Sequence, residues 1–431
     1  MNRHLIVILI GFFFAFSGAA QATFDYNITE KNLRDHVQFL SSEALEGRLT
    51  GTTGEKLATD YIAALFQQLG LEPAGDNGTF FQAFRFTPGI TRGVKSKIQH
   101  GRNVLAKLRL SQRSTQIIVI GAHVDHLGRG QWSGSLARDN ERGMIHSGAD
   151  DNASGVASVL AVAAQLQTMK TQGLLHGQKD ILFAIWSGEE YGILGSSHFV
   201  NMLMKNSTAK SLHPMIDAAI NLDMVGHLRE KLVLQGAGSS ADWREVIQAI
   251  QHTLPLITQS DPYLPTDSTA FYLRGVPTLN LFTGAHENYH TPRDKPETLN
   301  YDGIKHISEF LLDLVLAIED RPSAIAYREV QKNHDTAERG FKIYLGTIPD
   351  YAGEDVRGVK LSGVAKNSPA DQVGIQQGDV IVKLAGKKIR DIYDYTSVLN
   401  KLPIGKPVPL VVVRDKINVA LTVVARYRVS Q

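Results

Sequence analysis

Ile117-Ile118-Val119-Ile120-Gly121-Ala122-His123-Val124-Asp125 begins with four consecutive β-branched residues and ends with a histidine and an acid two positions apart. An apolar run without alternation marks a strand covered on both faces, as in a parallel sheet enclosed by helices. Three further runs have the same character: Ile181-Leu182-Phe183-Ala184-Ile185, Ala218-Ala219-Ile220-Asn221-Leu222 and Thr278-Leu279-Asn280-Leu281-Phe282. Between the first two, residues 154–169 are small and apolar on most sides and read as a buried helix. Residues 55–69 read as an amphipathic helix, because Leu57, Ala58, Tyr61, Ile62, Leu65, Phe66 and Leu69 recur at steps of three and four before Gly70. Residues 301–318 form another, with Ile304, Ile307, Phe310, Leu311, Leu314 and Ile318 as its stripe. Buried strands alternating with helices predict an α/β unit: a mixed, largely parallel central sheet flanked by helices.

The chain has 431 residues, 43% hydrophobic and 20% charged, with a formal net charge of +2. That composition belongs to a folded protein of more than one domain and does not point to a nucleic-acid binder. It contains no cysteine. Disulfides, thiolate zinc sites, cysteine nucleophiles and a lipidated N-terminal cysteine are therefore excluded, and any metal must be held by His, Asp and Glu. Residues 1–22 have the layout of a secretory signal: a short polar start with Arg3, an apolar run over 5–16, then Ser17-Gly18-Ala19-Ala20-Gln21-Ala22. The expected product begins at Thr23 and is exported, periplasmic or secreted, without a stable membrane span. Residues 23–320 form the first expected domain and 321–340 a polar linker. From residue 341 onward short alternating strands and glycine turns predict a small β-rich domain. Its charge differs too, since residues 338–431 carry 15 lysines and arginines against nine acids.

In open α/β sheets, ligands bind beyond the carboxyl ends of the strands. Here His123 and Asp125 follow the first run, Ser187-Gly188-Glu189-Glu190 the second, and Asp223 the third. His286, Glu287, Tyr289 and His290 follow the fourth, and Asp150-Asp151-Asn152 precedes the buried helix. Singly, these residues have ordinary explanations. Asp150 suits a helix start, and lone histidines such as His126, His198 and His227 read as surface or satisfied core residues. Together, the buried carboxylates would repel one another without a compensating cation. Asp150, Glu190 and Asp223 bring three negative charges. Against two divalent ions this leaves one positive charge, which a bridging hydroxide cancels.

Gly121-Ala122-His123-Val124-Asp125-His126, Gly148-Ala149-Asp150-Asp151-Asn152-Ala153-Ser154-Gly155, Trp186-Ser187-Gly188-Glu189-Glu190-Tyr191-Gly192, Asn221-Leu222-Asp223-Met224 and Tyr289-His290-Thr291-Pro292 occur in that order. Together they resemble the M28 family of di-zinc metallopeptidases, chiefly aminopeptidases. Leu45-Glu46-Gly47-Arg48 and Gly51-Thr52-Thr53-Gly54-Glu55 add to the likeness. The resemblance implies two zinc ions per chain, with cobalt or manganese also compatible with the donors. His123 and Asp223 would hold one ion, Glu190 and His290 the other, and Asp150 would bridge them. Glu189 would be the general base and acid, Asp125 would orient the His123 ring without touching the metal, and Tyr289 would support the oxyanion. The implied reaction removes the N-terminal residue of peptides with a free N-terminus. His286 and Glu287 lie close to His290, with pocket lining the alternative to an ordinary surface role, and a place for Asp267 and Tyr272 at the cleft is not fixed by the spacing.

Lys342-Ile343-Tyr344-Leu345-Gly346-Thr347-Ile348, followed by Ser368-Pro369-Ala370-Asp371-Gln372-Val373-Gly374-Ile375-Gln376-Gln377-Gly378-Asp379-Val380-Ile381, resembles a bacterial PDZ domain. Such domains take an extended C-terminal peptide at a sheet edge. Tyr344, Leu345, Gly346 and Thr347 would form the carboxylate loop, the alternative being a packing module that braces the catalytic domain or closes a dimer. Two other functions remain compatible with the fold. One is a glutaminyl-cyclase-like acyl transfer. The other is a non-catalytic peptide-binding protein acting through the PDZ domain. The complete ligand set argues against both.

Overall fold

A computed structural model describes residues 28–87, 97–111, 114–130, 135, 137, 139–175, 177–205, 207–284, 286, 288–330, 343–349, 357–364, 368–390, 392–399 and 401–427. The expected signal segment, residues 331–340 of the expected linker, and Glu287 lie outside the described residues.

The strands of the first unit are β1 (Glu72–Pro73), β2 (Phe81–Phe86), β3 (Gln99–Leu108), β4 (Ile117–His123), β5 (Asp180–Trp186), β6 (Ile216–Leu222), β7 (Leu232–Gln235), β8 (Leu256–Thr258) and β9 (Thr278–Phe282). They form one sheet in the order β1-β3-β5-β4-β6-β9-β7-β8, with β2 paired to β3. The centre is parallel: β4 pairs with β5 and β6, and β6 with β9. The flanks are antiparallel, where β3 meets β5, β2 meets β3 and β7 meets β9. The four strands anticipated from sequence are thus the four central neighbours, and their carboxyl ends lie side by side.

Period-two alternation sends each strand's residues to two cores. Ile118, Ile120, Ile181, Phe183, Ile185, Ala218, Ile220 and Leu222 join the larger one. It is roofed by α1 (Glu30–Leu40), α2 (Thr53–Gln68), α3 (Gly155–Thr171), α5 (Trp243–Ala249) and α7 (Tyr301–Glu319). Val119, Leu182, Ala184, Trp186, Ile216 and Ala219 face the other core, under α4 (Leu194–Lys205) and α6 (Ser268–Tyr272). Both faces are covered, which is why these strands are largely apolar, and the Asn221 side chain of β6 donates from Nδ2 to Asn280 Oδ1 of β9 at 2.9 Å. α3 carries mostly small residues on its buried sides and packs between β4, α1 and α7. The sequence reading did not recognise α1, whose start is capped by Thr29 Oγ1 accepting from Asn32 N at 3.2 Å.

The expected linker is partly corrected. Residues 321–330 are tied to the first unit rather than strung beyond it. Ile325 is fully buried, and its N–H donates to Asp217 Oδ1 at 2.6 Å. Arg328 N donates to Ser239 O at 2.7 Å, and Val330 N to Tyr272 OH at 2.7 Å. Asp217 in turn faces Lys179 Nζ at 2.8 Å, and both side chains are enclosed. Lys179→Met would leave Asp217 as a buried, uncompensated charge. It is expected to lower unfolding free energy by about 3–5 kcal/mol. Lys179→Met combined with Asp217→Leu should recover much of that, as read by urea unfolding.

The C-terminal unit has its own core, built on Leu361, Ile381, Leu384, Leu410, Val412 and Val423. Its sheet contains β11 (Thr347–Pro349), β12 (Val359–Val364), β13 (Val380–Leu384), β15 (Pro407–Arg414) and β16 (Ile417–Val424) in that order, with β14 (Lys387–Lys388) on β13. β10 (Ile343–Tyr344) pairs with β17 (Arg426–Tyr427). The expected carboxylate loop joins β10 to β11. Leu345 is buried, and its carbonyl accepts from Ala370 N at 2.9 Å. Gly346 has φ +82, and a Cβ there would lie 2.1 Å from Ser368 Cβ, so glycine is required. Thr347 Oγ1 meets Tyr395 OH at 2.5 Å, which links the loop to α9 (Ile392–Leu399).

Candidate metal centre

The carboxyl ends of β4, β5, β6 and β9 deliver His123, Glu189-Glu190, Asp223 and Tyr289-His290 to one place. The segment before α3 closes it from beneath. One expectation fails here. Asp151, not Asp150, lies between the two histidines: its Oδ1 is 3.2 Å from His123 Nε2 and its Oδ2 is 3.1 Å from His290 Nε2. Asp150 turns away. Its Oδ1 accepts from Gly226 N at 2.5 Å and from Ser154 Oγ at 3.0 Å. The reason lies in the irregular backbone at Asp151, φ −104 and ψ 92, which sends adjacent side chains in different directions.

Asp223 Oδ1 lies 3.4 Å from His123 Nε2, and Glu190 Oε2 lies 3.2 Å from His290 Nε2. His123, Asp151 and Asp223 therefore converge on one side of Asp151. Glu190 and His290 converge on the other, joined by His126. His126 departs from its ordinary reading, since its Nδ1 sits 2.8 Å from Glu190 Oε1. His198 keeps that reading and packs against Phe84 with ring centroids 5.9 Å apart.

Asp125 also differs from expectation. Its carboxylate is 3.8 Å from His123 Nδ1, beyond hydrogen-bond reach, and its backbone carbonyl is the atom beside that nitrogen at 3.1 Å. The carboxylate instead accepts from Glu189 N at 3.1 Å, Glu190 N at 3.3 Å and Thr50 Oγ1 at 2.9 Å. It shapes the turn that separates the two glutamates. Tyr289 stacks on the His290 ring, with centroids 3.8 Å apart. His290 itself is left-handed, with φ +55, a conformation uncommon outside glycine.

Charge follows this geometry. Burial opposes ionisation of Asp151, but contacts with His123 and His290 hold it well below the usual carboxylate range. Glu190 is likewise held near about 2, against burial, chiefly by His290. Glu189 goes the other way. Burial pushes it well above its ordinary value, with the charges of Asp223, Glu190 and Asp267 adding to burial and His123 opposing. Burial, with Asp151, Glu190, Glu189 and Asp223 nearby, also pushes the Tyr289 hydroxyl well up. Adjacent glutamates thus differ: contact with His290 favours the ionised form of Glu190, whereas burial and neighbouring carboxylates disfavour it at Glu189.

Residues given no part in the metal centre by the sequence hold this arrangement. Asp294 accepts from Asp150 N at 2.9 Å and from Asp151 N at 3.0 Å, which orients both acids. Asn152 Nδ2 donates to Leu222 O at 2.8 Å, and its Oδ1 accepts from Gly155 N and Met224 N, joining α3 to the Asp223 turn. Glu55 accepts from Ser187 Oγ and Gly51 N, and burial pushes it up to about 7. Asp267 is held by Ser196 Oγ, and burial pushes it to about 7. Asp294 lies four residues after His290, but nothing local distinguishes it from a surface acid.

The donors fit two divalent cations. Two imidazoles and three carboxylates meet as nitrogen and oxygen pairs 3.1–3.4 Å apart. Ligands bound at ~2.0–2.1 Å to one tetrahedral ion are spaced at roughly that distance.

Residues 103–315 match the family described as Peptidase family M28, and residues 328–424 match that described as PDZ domain. Residues 103–315 belong to peptidase family M28. Over 177 residues it is 33% identical to the alkaline phosphatase isozyme conversion protein of Escherichia coli, which spans 41% of this chain and 46% of the relative. It is 28% identical over 209 residues to aminopeptidase YwaD of Bacillus subtilis, 44% of this chain and 43% of the relative. The chain thus spans under half the length of these relatives. The M28 unit has the fold of BSAP, a zinc aminopeptidase from Bacillus subtilis, with a TM-score of 0.52 at 17% identity, covering 70% of this chain and 99% of that one. No helix among the described residues of this M28 protein is long and apolar enough to cross a membrane.

Proposed function

We propose that this chain is an exported two-zinc aminopeptidase, with residues 23–320 carrying catalysis and the C-terminal unit taking a peptide C-terminus. The reading rests on one observation above all: a buried carboxylate, Asp151, whose two oxygens each lie 3.1–3.2 Å from a different imidazole. His123 and Asp223 would hold one metal, and Glu190 and His290 the other, with Asp151 shared. His126 positions Glu190. When bound, the metals supply Lewis acidity and a water acidic enough to lose its proton near neutral pH.

Glu189 then acts as base, because it neighbours the ligands without facing a histidine nitrogen itself. It takes a proton from the attacking water and delivers it to the leaving amine. Tyr289 stays protonated in its buried position and donates to the carbonyl oxygen as negative charge develops there. The free amine of the substrate meets a cleft rich in carboxylates, which favours a cationic N-terminus over an acetylated one. Tyr344, Leu345, Gly346 and Thr347 form the loop proposed for carboxylate capture in the PDZ domain.

The test is one set of peptides, each with a free and with an acetylated N-terminus, incubated with and without chelator and read by mass. Stepwise loss of the first residue from free peptides alone is expected, stopped by chelator and restored by zinc. Loss of ammonia from N-terminal glutamine would reassign the chemistry to cyclisation. Unchanged peptides with two bound metals would overturn the catalytic reading.

A further inference from the structure

Asp150, displaced from the role expected of it, faces a second group of metal-ligand atoms. Its Oδ2 lies 3.0 Å from His286 Nε2. His227 completes the group, with one ligand atom of each residue within 4.8 Å of the other two. The two rings stack at 3.9 Å with an interplanar angle of 28°, so both nitrogens can present to the same oxygen. Asp150 Oδ2, His286 Nε2 and His227 Nε2 have no hydrogen-bond partner among the described residues, although Asp150 is fully buried. Two polar atoms 3.0 Å apart that miss hydrogen-bond geometry are spaced like ligands sharing an off-axis ion. The same spacing recurs where His123 and His290 face Asp151.

We propose that Asp150, His227 and His286 form a third metal site, separate from the pair at Asp151, for a divalent ion of the zinc class. Two imidazoles and one carboxylate with room for water are a sufficient set for such an ion. The residues are built in from three directions. Gly226 N and Ser154 Oγ fix the other oxygen of Asp150. His227 N donates to Thr283 Oγ1 at 3.3 Å, which in turn donates to Met224 O at 2.7 Å, so the segments after β6 and β9 run together. A glycine is needed at position 226, because a Cβ there would lie 2.7 Å from Asp150 Oδ1.

The ion would brace the catalytic centre from behind. His286 shares a loop with Tyr289 and His290, and Asp150 precedes Asp151. One ion therefore ties the loop bearing two site residues to the backbone bearing the shared carboxylate. The competing arrangement is a plain His286–Asp150 pair with the proton on Nε2. Asn288 N, 3.3 Å from His286 Nδ1, favours that tautomer. Loading the site moves the proton to Nδ1 and gives up that contact.

Zinc counting separates the two. The purified chain is stripped with chelator, dialysed against graded Zn2+, and its zinc per chain measured by atomic emission. Wild type should saturate at three, and His227→Gln and His286→Gln at two each, with far-ultraviolet circular dichroism confirming that each variant is folded. Asp223→Asn should weaken a different ion and leave the His227-dependent one in place, so failure at the catalytic pair is distinguishable. Equal zinc content in wild type and both histidine variants overturns the proposal, whatever the total.

Discussion

Glu189→Gln should keep its zinc and its fold and lose about 10²–10⁴-fold in kcat, the range of a positioned general base. The backbone of residue 189 is held independently of its side chain, through the N–H donated to Asp125 Oδ1 at 3.1 Å. The amide is isosteric, so the turn survives. Glu190→Gln should behave differently. That carboxylate is shared between His126 Nδ1 at 2.8 Å and His290 Nε2 at 3.2 Å, so its loss should appear first as lost metal. The pH profile adds a second readout. A base works ionised, and burial with the nearby carboxylates raises Glu189 above its ordinary value. Activity should therefore fall as pH drops through that raised value, and the acid limb of kcat/KM should flatten in the residual activity of Glu189→Gln. Wild-type turnover in a zinc-replete Glu189→Gln protein would sink the assignment.

Arg48→Met is expected to be the most damaging change outside the metal ligands. Arg48 is almost wholly enclosed and ends a left-handed stretch: Glu46, Gly47 and Arg48 all have positive φ. A Cβ at Gly47 would sit 2.5 Å from Gly128 O, so the turn tolerates no side chain there. The guanidinium donates to Val124 O at 2.8 Å, Ser147 O at 2.7 Å, Gly148 O at 3.0 Å and Leu40 O. Those carbonyls belong to α1, to the peptide between His123 and Asp125, and to the approach to Asp150-Asp151. Burial lowers the guanidinium to about 10, with Asp294 and Asp151 opposing, so it stays charged at neutral pH.

Methionine fills similar volume but removes the guanidinium from four buried carbonyls, of which Gly148 O keeps the N–H of Ala153 at 3.2 Å. Each orphaned acceptor costs on the order of 1–3 kcal/mol, with partial relaxation reducing the sum. A loss of about 3–5 kcal/mol is expected in denaturant unfolding, with zinc affinity falling in parallel. Arg48→Lys should recover only part, because a point charge cannot span acceptors spread around a planar fork. Unchanged zinc affinity in a destabilised Arg48→Met protein would confine the residue to stability.

The four central strands and the residues at their ends were legible because they depend on neighbours along the chain. An unbroken apolar run is a local statement that both faces are covered; β4 and β5 carry one, and β6 and β9 are apolar apart from a few buried polar residues such as Asn221 and Asn280. The flanking pairs escaped, antiparallel β2–β3 and parallel β7–β8, since their strands carry mixed side chains and their pairing is set by partners outside the local sequence. Residue types also carried the chemistry: without cysteine, only His, Asp and Glu could hold a metal.

The tertiary structure decided which member of Asp150-Asp151 faces the histidines. Two adjacent acids are equivalent in the sequence. Their directions are set by Asp294, Gly226 and Ser154 acting across an irregular turn, two of them more than 70 residues away. The same holds for His126 and His227, ordinary singly and distinctive only beside Glu190 and Asp150. It holds for Asp125, whose carboxylate serves the Glu189-Glu190 turn rather than the His123 ring. Periodicity and composition report what is near in the chain. A ligand sphere is assembled from what the sheet brings near in space, and the direction of each side chain within it is a property of the packed whole.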